Sequence, residues 1–511
     1  MKKKTIQITS KYLYLPIQKG QPEKRLEIFD TQGEKCFEFL IPMGEDAAEY
    51  PYDYMAELFV ESFVGKKLVM QGDFSLGFWD KVVCTEADIY EAKNRPTIHF
   101  TPKYGWMNDP NGLVYADGVY HMYFQYNPFN IVWNNMSWGH AVSKDLLHWQ
   151  QLDTVMYPDE QGTMFSGCGL INERGCLKLP EDALLFFYTA AGGTNEWSKG
   201  KEFTQRIAYS VDGGQTLQKL EMPYIETSCK ENRDPKVFWH EESQAYICAL
   251  WLEENDFAIL RSMDLSSWEL SDRFELPGAW ECPDLLKITG ENGEEKWLYW
   301  SADGYYFWGE FDGYHFCSDG KRYEAYINKM AYAAQTYSNV SGRVISVPWL
   351  RQKNAGRDYT GVMGLPREFT FRYEGEECLL VQKPVRELKE SSRLLWETNT
   401  KEIIVELERA DAYMLEFALG NQTGCVEVQG AGFYLTYEQN TGELCFNEEG
   451  FAVGAGRQSI SLLLDVNILE VSLDGGVKLG MFEVADMGKN SQLCIRTSQP
   501  ISLEMYAVEY F

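Results

Sequence analysis

One turn recurs along this chain, and it limits the fold more than any other feature of the sequence. Ser143-Lys-Asp-Leu-Leu-His-Trp149 is echoed by Ser262-Met-Asp-Leu-Ser-Ser-Trp268, and related turns stand at Ser210-Val-Asp-Gly-Gly214 and Phe311-Asp-Gly-Tyr314. Their aspartates, Asp145, Asp212, Asp264 and Asp312, are 67, 52 and 48 residues apart. Aromatic, strand-like segments precede the turns, such as Ile207-Ala-Tyr-Ser210 and Tyr306-Phe-Trp-Gly309. A unit of about 50 to 60 residues that forms one small sheet cannot bury its apolar face alone and is stabilised by stacking on its copies, which points to a β-propeller. Residues 96–388 leave room for about five such units. An ordinary turn recurring by chance would give the same echo, so the reading needs chemistry at the same spacing.

The flanks differ in texture. Residues 1–95 are expected to form a small β module, with strands at Arg25–Phe29 and Cys36–Ile41 around the turn Asp30-Thr-Gln-Gly33, and a boundary at Asn94-Arg-Pro-Thr97. Residues 389–511 alternate with period two, as in Glu402–Leu407 and Leu462–Leu473, and Asp474-Gly-Gly476 supplies a hairpin turn. That pattern predicts a β-sandwich. Helical periodicity is confined to a short stretch near 384–395, so the class is all-β.

Composition narrows the partners. With 47 basic against 76 acidic side chains the formal net charge is −29, a field that repels phosphate backbones and anionic membrane surfaces. Nucleic acid and membrane are therefore excluded as partners, and a neutral small molecule is the natural substrate. Aromatic residues at 14% suit sheets and sugar-stacking sites alike. The three N-terminal lysines lead into alternation rather than an apolar run, which does not make a signal peptide. The 12 cysteines lack close spacing, and no zinc motif is present, so they read as reduced thiols. A cytoplasmic location is expected, with no metal and no cofactor. Homo-oligomerisation is left open.

Three acids stand in unusual settings: Asp109 in Trp106-Met-Asn-Asp-Pro-Asn-Gly112, Asp234 in Glu231-Asn-Arg-Asp-Pro-Lys236, and Glu281 in Trp280-Glu-Cys-Pro-Asp284. The neighbouring prolines fix the backbone and are expected to place each acid at a strand entrance. Asp109, Ser166, Asp234, Glu281 and Gln335 are separated by 57, 68, 47 and 54 residues, close to one repeat each. Equivalent positions of successive blades meet at one end of a central channel, so the carboxylates can converge there. Convergence raises carboxyl pKa values and is costly, and glycoside hydrolysis uses it: one carboxylate attacks while another carboxyl donates a proton. Hydrogen bonds from Asn108 and Asn111 would keep Asp109 ionised, and Trp280 and Cys282 would give Glu281 a less polar setting. Gln125 and Trp133 fit a sugar pocket; His140 reads as a buried structural histidine.

At these residues the sequence closely resembles glycoside hydrolase family 32, the β-fructosidases: invertases, levanases and exo-inulinases. The resemblance covers about residues 96–388 and rests on Trp106-Met-Asn-Asp-Pro-Asn-Gly112, Phe165-Ser-Gly167, Arg233-Asp-Pro235 and Glu281-Cys282-Pro283. It implies a retaining hydrolase on a five-bladed propeller, with Asp109 as nucleophile, Glu281 as acid/base and Asp234 as transition-state stabiliser. It further implies that Asn108, Gln125, Trp133, Phe165, Ser166 and Arg233 line the fructose subsite, with Asp303 a looser match. Departures are Cys168 after Phe-Ser-Gly, Met330-Ala-Tyr-Ala333 in place of Asp-Phe-Tyr-Ala, and Asn467 where arginine is common. The N-terminal module resembles one on some bacterial levanase-like members, and a structural or dimerising role is expected for it.

The expected activity is exo-acting release of fructose from sucrose, inulobiose, kestose or other short β-fructosides. Alternatives are levan or inulin as polymer substrates, sucrose-6-phosphate, an inverting arabinosidase or xylosidase on the same architecture, and a non-catalytic fructan-binding protein.

Overall fold

The computed structural model describes residues 2–44, 51–86, 90, 95–407, 412–420, 424–430, 432–485 and 491–508. Asn94, placed at the first boundary, lies outside them. Strands dominate, and the α-helical elements among the described residues are Leu76–Lys81 and Arg386–Glu390. The chain is all-β. The helix expected over 384–395 is limited to Arg386–Glu390, because from Ser392 the backbone pairs with the distant strand Ser491–Val508. Long-range pairing there outweighs local periodicity.

The middle of the chain forms five mainly antiparallel sheets in sequence order. Their first strands are Gly105–Ala116, Thr163–Ile171, Arg233–His240, Asp284–Thr289 and Ala331–Thr336. The four echoed turns have one structural role: each joins the third and fourth strands of its sheet, as between Ser137–Ser143 and Gln150–Gln151 or between Asp256–Ser262 and Glu269–Glu275. Leu146 and Leu265 both take a φ of 65°. The Trp149 and Trp268 indoles donate back to the carbonyls of Leu146 and Leu265 at 3.1 and 3.2 Å. Asp145 and Asp264 accept backbone N–H bonds inside the turn. The repeated letters thus encode one local geometry.

The first strands of the first and second sheets lie against one another, as do those of the second and third, and the fifth lies against the first. Ser338, just past the fifth, donates to the Gly169 carbonyl of the second strand at 2.7 Å. Tyr359–Thr360 adds to the first sheet in parallel beside Gly105–Trp106 and ties the end of this region to its start. In the middle, Lys236 Nζ donates to Asp284 Oδ2 at 3.0 Å and to the Thr336 carbonyl at 2.8 Å, joining the third, fourth and fifth strands.

Before this region the strands Lys2–Gln7, Lys67–Gly72, Glu23–Phe29 and Lys35–Pro42 form one sheet, and Tyr54–Phe59, Tyr12–Ile17 and Val83–Cys84 a second. Leu13, Leu15, Ile28, Phe39 and Leu68 fill the space between them, and Tyr104 and Phe129 of the following region join that core. After it, ten strands form one continuous sheet around a core that includes Leu415, Val428, Leu435, Leu462, Leu469 and Leu503. Ser491–Val508 pairs with Cys425–Gly430 near its start and with Ala412–Ala418 at its end, so one long strand serves both faces of that core.

This last unit is locked to the middle by buried charge. The Asp465 carboxylate accepts from the backbone N–H groups of Thr97, Ile98 and His99 at 2.7 to 3.0 Å and from His99 Nδ1 at 2.9 Å. Glu470 meets His99 Nε2 at 3.1 Å and pairs with Arg367. Asn467, wholly buried, accepts from Gln352 Nε2 at 3.0 Å.

Candidate active site

Each acid is carried by, or just ahead of, the first strand of a different sheet; the ladder is broken where Asp109 and Asp234 sit, and Glu281 precedes its ladder. Register slips lie between Met107 and Pro110, Met164 and Gly167, Arg233 and Lys236, and Tyr332 and Gln335. A bulge breaks the alternation of side chains and re-aims one of them. Pro110 and Pro235 fall at these bulges, where a missing N–H costs no ladder bond. Asp234 stands at a strand entrance and Glu281 just ahead of one, as expected; Asp109 instead lies within Gly105–Ala116, because its bulge absorbs Pro110 without ending the strand. The backbone is bent hard nearby: φ is 62° at Asp234, 30° at Glu281, 44° at Cys282 and 49° at Ala333. Left-handed conformations cost side-chain-bearing residues about 1–3 kcal/mol in a strained site. Gly167 admits no side chain, since a Cβ there would stand 1.8 Å from the Phe187 carbonyl oxygen.

Asn108, Asp109, Gln125, Trp133, Phe165, Ser166, Arg233, Asp234 and Glu281 all line one pocket of about 520 Å3. Asp303 does not line it; it is half-buried, and burial raises its carboxyl against the opposing charge of Arg351. His140 is wholly buried, stacked 4.1 Å from the Tyr123 ring, in line with a structural role.

Asp109 accepts from Ser166 Oγ at 2.6 Å and Asn108 Nδ2 at 3.1 Å. Asn111 does not reach it: placed to satisfy its neighbours, the amide accepts from Gln125 and donates to Ser166 Oγ at 3.3 Å. The Asp109 carboxyl is raised by burial and then by the charge of Glu281, against the hydrogen bonds from Ser166, Asn108 and Cys282. Those bonds favour the ionised form, as expected of Asn108, and offset part of the rise that burial and Glu281 impose. Asp234 accepts from Cys282 N at 3.1 Å and lies 3.7 Å from Arg233 Nε. Burial raises it to about 7, with the charges of Glu281 and Asp109 adding to the shift and Arg233 opposing.

Glu281 departs most from expectation. Its setting is not apolar: Oε2 accepts from Arg233 Nε and Nη2 at 3.0 and 2.6 Å, and Oε1 from the Tyr332 hydroxyl at 2.6 Å. Trp280 turns away from the carboxyl and packs 5.2 Å from the Trp251 ring, over which the Arg233 guanidinium lies at 4.0 Å. The adjacent Cys282 thiol, buried, points instead at Asp234 Oδ2 and Asp109 Oδ2, 3.4 and 3.7 Å away.

Sequence reasoning missed Phe203, Glu231, Trp349 and Arg351, and saw Tyr332 only as part of a departure from a motif. The spacing gave a signal for Tyr332, three residues before Gln335 on the fifth first strand. Arg351, stacked 3.6 Å over Tyr332, follows a second strand and carried none. The aromatic wall runs Trp133–Phe165–Phe203, with centroids 6.0 and 5.5 Å apart.

Known proteins of similar sequence and shape share this architecture. The levanase of Bacillus subtilis (strain 168) is 34% identical over 337 residues, covering 60% of this chain and 49% of the levanase. The invertase of Debaryomyces hansenii is 34% identical over 332 residues, 58% of this chain and 61% of the invertase. The chain thus spans about half to three-fifths of the length of these relatives. The exo-inulinase structure from Aspergillus awamori superposes with a TM-score of 0.73 at 24% identity, over 82% of this chain and 99% of that one. A structure of glycoside hydrolase family 32 from Bifidobacterium adolescentis superposes over 100% of this chain and 99% of that one, at TM-score 0.69 and 19% identity. The model of the glycosyl hydrolases family 32 N-terminal domain matches residues 99–384, more than half of the chain, with all five first strands and the three acids, and the chain therefore belongs to glycosyl hydrolase family 32.

Proposed function

We propose that this protein is a retaining, exo-acting β-fructofuranosidase that releases terminal fructose from sucrose, inulobiose, kestose or other short β-fructosides. The observation that carries the reading is the meeting of Asp109, Asp234 and Glu281, from the first, third and fourth sheets, in one pocket with Arg233. In the proposed reaction Asp109 attacks C2 of the fructosyl unit while Glu281 protonates the leaving oxygen; water activated by Glu281 then releases fructose. Asp234 and Arg233 hold fructose hydroxyls as charge develops at the ring. Arg233 holds Glu281 Oε2 in the free pocket, and sugar hydroxyls competing for the guanidinium would free that carboxyl for the leaving oxygen.

The architecture we infer is a five-bladed propeller of residues 96–388, with one sheet per blade, an N-terminal β module of residues 1–95 and a C-terminal β-sandwich of residues 389–511. The pocket favours neutral over phosphorylated substrates. Arg233 and Arg351 are its cationic lining, against Asp109, Glu231, Asp234 and Glu281, and Arg233 is already paired. All 12 cysteines are free thiols, which supports a reducing compartment and short, imported sugars.

The test is fructose release from sucrose, sucrose-6-phosphate, inulobiose, kestose, inulin and levan. Strong release from the short neutral sugars is expected, with Asp109→Asn and Glu281→Gln each reducing kcat by at least about a thousandfold while far-UV circular dichroism stays unchanged. Wild-type rates in either variant would sink the assignment of roles, and release from polymer alone would overturn the substrate reading.

A further inference from the structure

None of the described residues of the N-terminal module lines the pocket, yet the module holds both loops behind the pocket's aromatic wall. Trp133 is about half exposed and is presented from the loop 130–135. That loop is bound to the module at three points. Asn130 Nδ2 donates to Glu23 Oε1 at 2.7 Å and Asn134 Nδ2 to Glu23 Oε2 at 2.8 Å. Asn135, held at a φ of 45°, accepts from Leu40 N and donates to the Leu40 carbonyl, both at 2.8 Å. Beneath the loop, Phe39 packs 4.3 Å from Phe129. The far end of the wall is held in the same way: the buried Glu38 carboxylate accepts from the backbone N–H groups of Glu196 and Trp197 at 3.1 and 3.2 Å, in the loop that leads to Phe203. Lys35 bridges Glu38 and Glu27 at 2.6 Å each and fixes that carboxylate.

The loop's backbone is held from its own unit, by Asn127 Nδ2 on the Val132 carbonyl at 3.0 Å and Thr360 Oγ1 on the Ile131 carbonyl at 2.7 Å, while its Asn130 and Asn134 side chains are tied to a carboxylate of the module. Both Asn amides give their hydrogen bonds to one residue, so Glu23 sets two points of the loop at once, on either side of Trp133. We propose that the N-terminal module is part of the substrate-binding machinery at one remove, with Glu23 as the positioning residue that sets the Trp133 face of the sugar pocket. The proposal rests on the reading of the pocket as a fructoside site. It assigns Glu23 to binding rather than chemistry, because the acids stand on or just ahead of the first strands and not on these loops.

Glu23→Ala in the full chain tests it. Expected is a rise in KM for sucrose of about five- to tenfold with kcat within about twofold, together with backbone amides of 130–135 exchanging at least about tenfold faster by hydrogen exchange. Asn134→Ala breaks the same contact from the other side and guards against misfolding of the first variant. It should move KM in the same direction, and the double variant should cost no more than Glu23→Ala alone. Glu23→Gln, which keeps one acceptor oxygen, should recover part of the loss. A module that serves folding alone would lower Tm and the active fraction, and so kcat, while leaving KM at the wild-type value; that result overturns the proposal. If the wild-type chain releases no fructose, the function fails separately and the exchange data alone decide: unchanged protection of 130–135 in Glu23→Ala overturns the positioning role.

Discussion

At the residue scale the site brings three carboxyl groups and one guanidinium together, and for Asp109 and Asp234 burial is the largest influence on the carboxyl. Arg233 gives both its short bonds to Glu281 and lies at 3.7 Å from Asp234, so Asp234 is left to bear desolvation with a distant cation. Its pKa of about 7 stands above the value of about 3.9 for an unfolded chain. Between those values the folded protein binds more protons than the unfolded one, so this group's contribution to stability is greatest below about pH 4. It is lost as pH rises through about 7. Asp234→Asn cannot ionise. Relative to wild type its Tm should be unchanged by ionisation near pH 4 and higher by the order of a few degrees at pH 8, even as fructose release is lost. Thermal scans at the two values check this; a difference that does not grow with pH would show that Asp234 is not held neutral by its surroundings. A site that gives up stability at neutral pH to keep three acids together is the pattern of a catalytic centre.

At the element scale the recurring device is a first strand that delivers its functional side chain at a bulge or just before its ladder begins, and then sends the next polar side chain into a buried cluster shared with its neighbours. Lys236 follows Arg-Asp-Pro, Asp284 follows Glu-Cys-Pro and Thr336 follows Gln335; all three meet in the buried cluster below the acids. Lys236→Met would leave the Asp284 carboxylate, 1% exposed, without its cation, at a cost of about 3–5 kcal/mol. Lys236→Met with Asp284→Asn should recover much of that loss, because no uncompensated charge remains. Chemical denaturation of both variants checks the order, and a double variant less stable than the single would refute it. This level was the most legible in the sequence: turn letters and acid spacing each repeat about once per sheet, and both mark a fixed place in it. The bulges were not legible. Asp-Pro reads as a stop, and only the pairing partner shows that the strand continues through Pro110. Nor was the partner of Glu281 legible, since Trp280 and Cys282 are its neighbours in sequence but Arg233 and Tyr332 are its neighbours in space.

At the scale of the whole molecule, sequence alternation marked out the flanking units but gave no sign of how they attach, because the attachment is made by single polar residues far apart in the chain. The C-terminal unit is held by a buried array of His99, Asp465, Glu470 and Arg367 that spans it, the segment before the first sheet and the fifth sheet. Burial would push the His99 imidazole down, but its bonds to Asp465 and Glu470 carry it up to about 9. Burial would likewise raise Glu470, and the Arg367 charge with the His99 bond brings it to about 2. The histidine's contribution is therefore full below about pH 6.5 and lost as pH rises through about 9; the glutamate's is full above about pH 4.3 and lost as pH falls through about 2. The attachment should be firmest between about pH 4.5 and 6.5 and weaken first on the alkaline side. Glu470→Gln leaves Arg367 and His99 buried with less charge to meet, a loss of about 3–5 kcal/mol near neutrality. His99→Gln should be less stable than wild type at pH 6, with the gap narrowing by pH 10, where the wild-type imidazole has already given up its proton. Thermal or denaturant unfolding across that range, followed by a probe in the C-terminal unit, reads the difference directly. A gap that stays constant from pH 6 to pH 10 would mean that His99 is neutral in the folded protein and that Arg367 is the cation that meets Glu470 in the array.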